Sequence, residues 1–185
     1  MSESNPSAYF SNSEILTSAY DSILCEWLNA KTEWNLLYSG TRDGLTPEAF
    51  HTIVDDKGEC LLVIEDEKGN IFGAYTSVGF STRGGNGMVY RDDRHFLFTL
   101  KNPFGIAPTK FATKFPQTAF AYVRNYGPSF GDHGDLTLRG HDGHFGESHT
   151  INFPWSYVDP TGKGNIVFTG NERFSVKNME VFLRK

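Results

Sequence analysis

Histidine and carboxylate side chains are concentrated between residues 132 and 149, where they could bind a metal ion. This stretch holds His133, His141, His144 and His149 together with Asp132, Asp135, Asp142 and Glu147. Imidazole nitrogens and carboxylate oxygens are ligands for zinc and manganese. The sequence therefore offers His141, His144 and Asp132 as candidate metal ligands, and a metal-dependent enzyme or metal-binding module as one hypothesis for function.

The spacing of the two central histidines favours a simpler interpretation. His141 and His144 are separated by Asp-Gly in a Gly-rich segment, and neither a Cys pair nor an H-E-x-x-H helix accompanies them. A polar, solvated loop whose histidines form local hydrogen bonds explains such a pattern. The sequence therefore favours a protein that is not an enzyme and that needs no cofactor.

A serine motif found in hydrolases also occurs, because residues 127–131 read G-P-S-F-G and fit G-x-S-x-G. A nucleophile elbow of that kind joins a strand to a helix. Here Ser129 is followed by polar turn residues and by a predicted strand from Asp135 to Leu138. The match is predicted to be a structural loop, and the sequence identifies no catalytic residue.

Composition and charge limit the possible partners. A chain of 185 residues suits one domain. The net charge is −5, and the nearest approach to a basic patch is spread among aromatic residues, at Lys101, Lys110, Lys114 and Arg124. Since nucleic-acid binders show a basic stripe that neutralises phosphates, a stress-linked DNA-binding regulator is only a second alternative.

The sequence also predicts a cytoplasmic location. No apolar run approaches the roughly 20 residues of a membrane-spanning helix, and the Ser- and Asn-rich N-terminus lacks the pattern of a secretory signal. The two cysteines, Cys25 and Cys60, are expected to be free thiols in a reducing compartment.

Two helices are predicted in the first third of the chain. Residues 1–12 are expected to be a disordered lead, and an apolar stripe predicts a helix over residues 13–28. Ser11 and Glu14 have the spacing of a capping box for this helix. A second, short helix should begin at Thr46, which can cap free amides ahead of Pro47.

The rest of the chain is typical of short β-strands separated by Gly- and Pro-containing loops. The predicted strands are Trp34 to Tyr38, Leu61 to Glu65, Ile71 to Ser77, Phe96 to Leu100, Thr118 to Val123, Asp135 to Leu138, Asn165 to Thr169 and Asn178 to Leu183. Many short strands of this kind favour a mainly β sandwich over a parallel α/β sheet.

Several phrases occur in an order that resembles the TLDc domain family, the oxidation-resistance type of domain. They are W-N-L-L-Y at Trp34, S-G-T-R-D-G-L at Ser39, L-L-V-I-E at Leu61, I-F-G-A-Y-T-S at Ile71, F-L-F-T-L-K-N-P at Phe96, Y-G-P-S-F-G at Tyr126, D-L-T-L at Asp135 and M-E-V-F at Met179. The resemblance implies a single domain over residues 13–185, an α+β β-sandwich of two antiparallel sheets flanked by two or more helices.

The resemblance also implies a function. It implies a non-enzymatic interaction module in resistance to oxidative stress and, for several members, binding to the vacuolar proton-pumping ATPase. The family has no agreed catalytic residues to carry over. In this chain His133 stands one place earlier in the Gly-rich turn than in the family pattern.

We expect the contact surface to lie in two exposed loops, residues 81–90 and 132–149, because shaped polar loops often carry function. The candidate interaction residues are Arg83, Asn86, Gly131, His133 and Asp135.

Overall fold

The structure is a computed structural model that describes residues 5–29, 31–80, 87–89, 92–117, 120–122, 126–140 and 144–185, with the backbone alone at 87–89 and 120–122. It is mostly β, and its two sheets enclose a common hydrophobic core. The predicted mainly β sandwich flanked by helices is confirmed.

The larger sheet has seven strands in the order β1-β2-β13-β3-β4-β6-β7. Its strands are β1 (Phe10–Ser11), β2 (Trp34–Ser39), β3 (Cys60–Asp66), β4 (Ile71–Thr76), β6 (Phe96–Lys101), β7 (Thr109–Ala112) and β13 (Val176–Arg184). The pairing of β1 with β2 is parallel, and the other neighbours in this sheet are antiparallel. The strands predicted around Trp34, Leu61, Ile71, Phe96 and Asn178 are all present.

The smaller sheet has six short strands in the order β12-β11-β10-β9-β8-β5. They are β5 (Gly87–Val89), β8 (Phe120–Tyr122), β9 (Ser129–Phe130), β10 (Leu136–Thr137), β11 (Ser148–His149) and β12 (Arg173–Phe174). All of their pairings are antiparallel. β8 and β10 lie within the strands predicted at 118–123 and 135–138.

Two cores lie on the two faces of the larger sheet. Between the sheets, side chains such as Leu62, Phe72 and Phe111 pack with Phe130 and Phe174 of the smaller sheet. On the other face, helix α1 (Ser18–Trp27) covers a second apolar cluster. Because β3, β4 and β6 are buried on both faces, they are nearly continuous apolar runs.

Close packing between strands explains one glycine inside β4. A Cβ atom at Gly73 would lie 2.0 Å from the carbonyl oxygen of Leu62 on the neighbouring strand. The close backbone approach that a glycine inside a predicted strand indicates is therefore present.

Helix α1 begins later than the sequence predicts. The Ser13 hydroxyl accepts hydrogen bonds from the amides of Ile15 and Leu16, at 3.2 and 2.7 Å, in a turn rather than in a helix. Thr17 is then extended, and the helix runs only from Ser18 to Trp27. The lead predicted to be disordered also differs from the structure, since Phe10 and Ser11 form β1 and Phe10 is buried.

The short second helix is confirmed. After the single-turn helix α2 (Gly40–Asp43), helix α3 spans Pro47–Val54. The Thr46 hydroxyl accepts a hydrogen bond from the Ala49 amide at 3.1 Å, as the cap prediction requires. None of the helices in the described part of the chain is long and apolar enough to cross a membrane.

The strand predicted at Asn165 to Thr169 is wrong. This segment contains a 3-10 helix at Gly164–Ile166 followed by turns. The Asp159 carboxylate accepts hydrogen bonds from the amides of Thr161 and Gly164, both at 2.9 Å, and Gly164 has a φ of 62°. These local bonds fold the chain back, so its apolar residues reach the core from a turn instead of from a strand.

Candidate functional site

The Gly-rich turn between β9 and β10 depends on one glycine. Gly131 has a φ of 84°, in the left-handed region where a side chain is strained. A Cβ atom there would lie 2.1 Å from Oδ2 of Asp135. Glycine is therefore required at this position both by the backbone and by the carboxylate beside it.

Asp135 ties this turn to a distant segment. Its side chain is buried, and its Oδ1 accepts a hydrogen bond from the Ser156 amide at 2.8 Å. The Ser156 hydroxyl in turn accepts one from the Asp132 amide at 2.9 Å. Burial raises the pKa of Asp135, an effect that the hydrogen bonds from Ser156 and the charge of Lys114 oppose. The turn and residues 151–158 are thus held together around a buried carboxyl group.

Residues 151–158 are also fixed from two other sides. The Lys114 amide donates to the Ser156 carbonyl at 2.8 Å, and its ammonium donates to the Pro154 carbonyl at 2.9 Å. The side-chain amide of Asn152 donates to the carbonyl of His133. Hydrogen bonds from Lys114, just beyond β7, and to the turn at His133 therefore hold this segment in place.

This arrangement exposes a tryptophan. Trp155 is 57% exposed and Phe115 is 36% exposed. Together with Lys114, Asn152 and Pro154 they line a shallow depression of about 480 Å³, which we call the Trp155 surface. Tryptophan is enriched among the residues that dominate binding energy at protein interfaces, so a large exposed Trp on a fixed segment is suited to binding another protein.

The turn predicted to carry interaction residues borders this surface. The ring of His133 meets that of Trp155 edge to face, with centroids 4.8 Å apart, and its side chain is 54% exposed. Gly131 and Asp135 are buried, so they position the turn rather than present a side chain to a partner. Arg83 and Asn86 lie outside the described residues.

The candidate metal ligands are only partly within the described residues. His144 is exposed, and the Asp132 carboxylate lies 3.8 Å from Nε2 of His133 with about half of its side chain exposed. His141 lies outside the described residues. Among those described, no group of three or more His, Cys, Asp and Glu side chains is placed to hold a metal ion.

The serine of the G-x-S-x-G match lies in a strand pair. Ser129 belongs to β9, and its hydroxyl shares a hydrogen bond with that of Thr137 on β10 at 2.8 Å. A turn and a strand follow, as predicted, where a nucleophile elbow would lead into a helix.

Both cysteines are free, as the sequence predicts, and both are buried. Burial, with a smaller contribution from Glu59, raises the pKa of Cys60 to about 12. Burial also raises the pKa of Cys25. Because the thiolate is the reactive form, neither thiol is suited to direct reaction with peroxide.

Sequence reasoning missed Trp155 and Phe115. Large aromatic residues are buried in most folds, so nothing in the phrase F-P-W-S-Y at residues 153–157 distinguishes the exposed tryptophan from its buried neighbours Phe153 and Tyr157. The useful signal was its position, in a Pro-containing loop that follows the polar stretch 132–149.

Comparison with known families matches nearly the whole chain. A family model described as the TLDc domain covers residues 9–184, which takes in the elements from β1 to β13 and the Trp155 surface. Comparison with curated proteins finds no match.

Proposed function

The chain belongs to the TLDc family, and on that premise we propose that it is a non-enzymatic interaction module that binds and regulates the vacuolar proton-pumping ATPase in resistance to oxidative stress. The family is related to oxidative stress, and its domains are protein-interaction modules. The proton pump is the partner that the resemblance implies.

The Trp155 surface is the observation that carries this proposal. It combines an exposed indole, an exposed phenyl ring and a lysine on segments that backbone and side-chain hydrogen bonds hold in place. Interface cores are enriched in aromatic residues, with polar groups at their rim. Lys114, Asn152 and His133 supply that polar rim around the two rings.

The way the surface is held supports tight binding. Ordering flexible groups on binding costs free energy, and here Asp135, Ser156 and Lys114 have already fixed the segment that carries Trp155. A partner would therefore meet a preformed surface.

Protection from oxidants is proposed to be indirect, through the pump. The two thiols are buried and their pKa values are raised, which disfavours their use as peroxide scavengers. We propose a cytoplasmic location, where free cysteines stay reduced.

The test measures binding of the purified domain to the purified peripheral sector of the vacuolar proton pump. Trp155→Ala should weaken binding by about 30-fold, since truncation of a tryptophan at an interface centre costs about 2 kcal/mol. Its thermal midpoint should match that of the unmodified domain, because the side chain is largely exposed.

Phe104→Ala is the matched control. Phe104 is another exposed aromatic residue, at 39% against 57% for Trp155, and it lies outside the Trp155 surface. Its truncation should leave binding unchanged. Absence of binding by the unmodified domain would refute the pump as partner, and undiminished binding by Trp155→Ala would refute the surface.

A further inference from the structure

A second concave site lies where the C-terminal end of α1 meets the larger sheet. It is a cavity of about 410 Å³. Its lining includes aromatic side chains from α1 and β4 and charged side chains from the turn before β6, from β7 and from β13: Trp27, Tyr75, Asp93, Arg94, Lys110 and Arg184. It shares no lining residue with the Trp155 surface.

The charges around this cavity are unbalanced. Arg184 pairs with the Glu59 carboxylate at 2.9 Å. Arg94 and Lys110, by contrast, have no carboxylate within 4 Å in the described part of the chain. Asp93 is the one acidic residue in the described lining. Arg94 and Lys110 therefore line the cavity without an ion-pair partner among the described residues, and Asp93 alone among the described lining residues carries negative charge.

Of these two cations, Lys110 gives the stronger argument for a bound anion, because its ammonium group is partly removed from water. Its ammonium lies 4.2 Å from the centre of the Phe96 ring and donates to the Trp27 carbonyl at 3.3 Å. Burial lowers its pKa. The bond to the carbonyl uses one of the three N–H groups of the ammonium, and a partly buried charge is costly until it is paired.

We propose that this cavity binds a small organic anion, whose phosphate or carboxylate group contacts Arg94 and Lys110 while its apolar part contacts Trp27 and Tyr75. Arginine and lysine are the side chains that recognise phosphate and carboxylate groups. Because the whole chain carries a net charge of −5, attraction of an anion here must come from these local cations.

A purely structural role for Lys110 makes a different prediction. The negative end of a helix dipole attracts a cation, and Trp27 is the last residue of α1. If Lys110 only stabilises that helix end, its substitution changes stability and no anion binds.

The experiment titrates the full chain, by calorimetry at fixed ionic strength, with inorganic phosphate, with citrate and with phosphatidylcholine vesicles containing phosphatidic acid. We expect saturable binding that Lys110→Met weakens by about tenfold or more, since the ligand loses a charged contact. Lys163→Met is the matched control, because Lys163 also lies over a phenyl ring, that of Phe104 at 5.0 Å, away from the cavity. The Lys163→Met variant should bind each probe as tightly as the unmodified chain does.

The outcomes separate the sources of the anionic group. Binding of phosphate or citrate identifies a free anion, and binding of the vesicles alone identifies a lipid headgroup. Should Lys110→Met fail to fold, Arg94→Gln replaces it, because Arg94 is exposed. Absence of saturable binding to all of these probes, or equal loss in Lys163→Met, overturns the proposal. The pump-binding test uses other residues, so either proposal can fail alone.

Discussion

Two buried carboxyl groups, those of Glu180 and Asp135, each accept a hydrogen bond from a backbone amide but hold different parts of the molecule in place. Glu180, on the long strand β13, accepts hydrogen bonds from the Ser13 hydroxyl at 2.5 Å and from the Glu14 amide at 2.7 Å. Asp135 accepts one from the Ser156 amide through Oδ1, while its Oδ2 has no hydrogen-bond partner among the described residues. Burial raises the pKa of both groups.

The difference lies in what each carboxyl group holds. Both oxygens of Glu180 are occupied by the segment that leads into α1, so this contact closes the fold around the larger sheet. Asp135 holds a turn against the segment that exposes Trp155. A fully bonded carboxylate thus secures the architecture, and a half-bonded one secures the surface to which we assign binding.

The largest effect should follow loss of the Glu180 carboxylate. Glu180→Ala leaves the Glu14 amide and the Ser13 hydroxyl without their buried acceptor, and we expect a loss of about 3 kcal/mol of unfolding free energy. Urea denaturation measures it. Limited proteolysis should then cleave the first 17 residues sooner, and equal cleavage rates in both proteins would contradict this role.

Gly131 should be the next most sensitive position. Gly131→Ala combines a φ of 84° with a contact of 2.1 Å to the Asp135 carboxylate, and we expect a cost of about 2 kcal/mol. Gly146→Ala is the control, since a Cβ atom there meets nothing within 4 Å. Thermal denaturation of both variants compares them, and equal midpoints would show that the turn adapts.

Substitution of Asp135 should lower the free energy of unfolding by less than Gly131→Ala does, and the contribution of its carboxyl group should depend on pH. Asp135→Ala removes the acceptor of the Ser156 amide and should lose about 1–2 kcal/mol. Asp135→Asn keeps an acceptor oxygen. Because the folded-state pKa of Asp135 is raised, the unmodified protein should lose stability relative to Asp135→Asn as pH rises from about 4 through that pKa. Urea denaturation across this range measures the difference, and parallel pH profiles would contradict the assignment.

The buried side chain of His95 should make stability depend on pH in the opposite direction, with stability lost as pH falls. Within the part of the chain that the structure describes, both ring nitrogens of His95 lack a hydrogen-bond partner, and burial lowers its pKa although the charges of Asp92 and Asp93 oppose this. The stability it permits is present above about pH 6.5 and is lost as pH falls toward the lower folded-state pKa. Relative to His95→Phe, the unmodified protein should lose stability between pH 7.5 and 5.5, by no more than about 1.4 kcal/mol. Equal losses in urea denaturation would show that His95 does not titrate there.

Local signals in the sequence predict much of the fold. Thr46 and Pro47 determine where α3 begins through contacts within one helical turn. The start of α1 could not be predicted in the same way, because Ser13 binds Glu180 at a separation of 167 residues. The false strand at 165–169 has a different, local cause, since hydrogen bonds to the Asp159 carboxylate from Thr161 and Gly164 turn a segment whose own composition favours a strand.

Only part of the candidate site could be predicted, because contacts between distant parts of the chain also shape it. The sequence pointed to Gly131, His133 and Asp135, and the structure places all three beside the Trp155 surface. The roles of Gly131 and Asp135 are positional because both are buried. The exposure of Trp155 depends on bonds to Asp135 and Lys114 from other elements, which no local pattern encodes.

The central claim is that the Trp155 surface contacts the proton pump, and amide hydrogen exchange of the full chain tests it most directly. Exchange would be compared with and without the purified peripheral sector of the pump. Amide exchange reports local opening of the structure. We predict that binding slows exchange in residues 114–117 and 151–158 and leaves exchange in α1 unchanged. Binding that slows exchange elsewhere and leaves residues 151–158 unchanged would contradict the account.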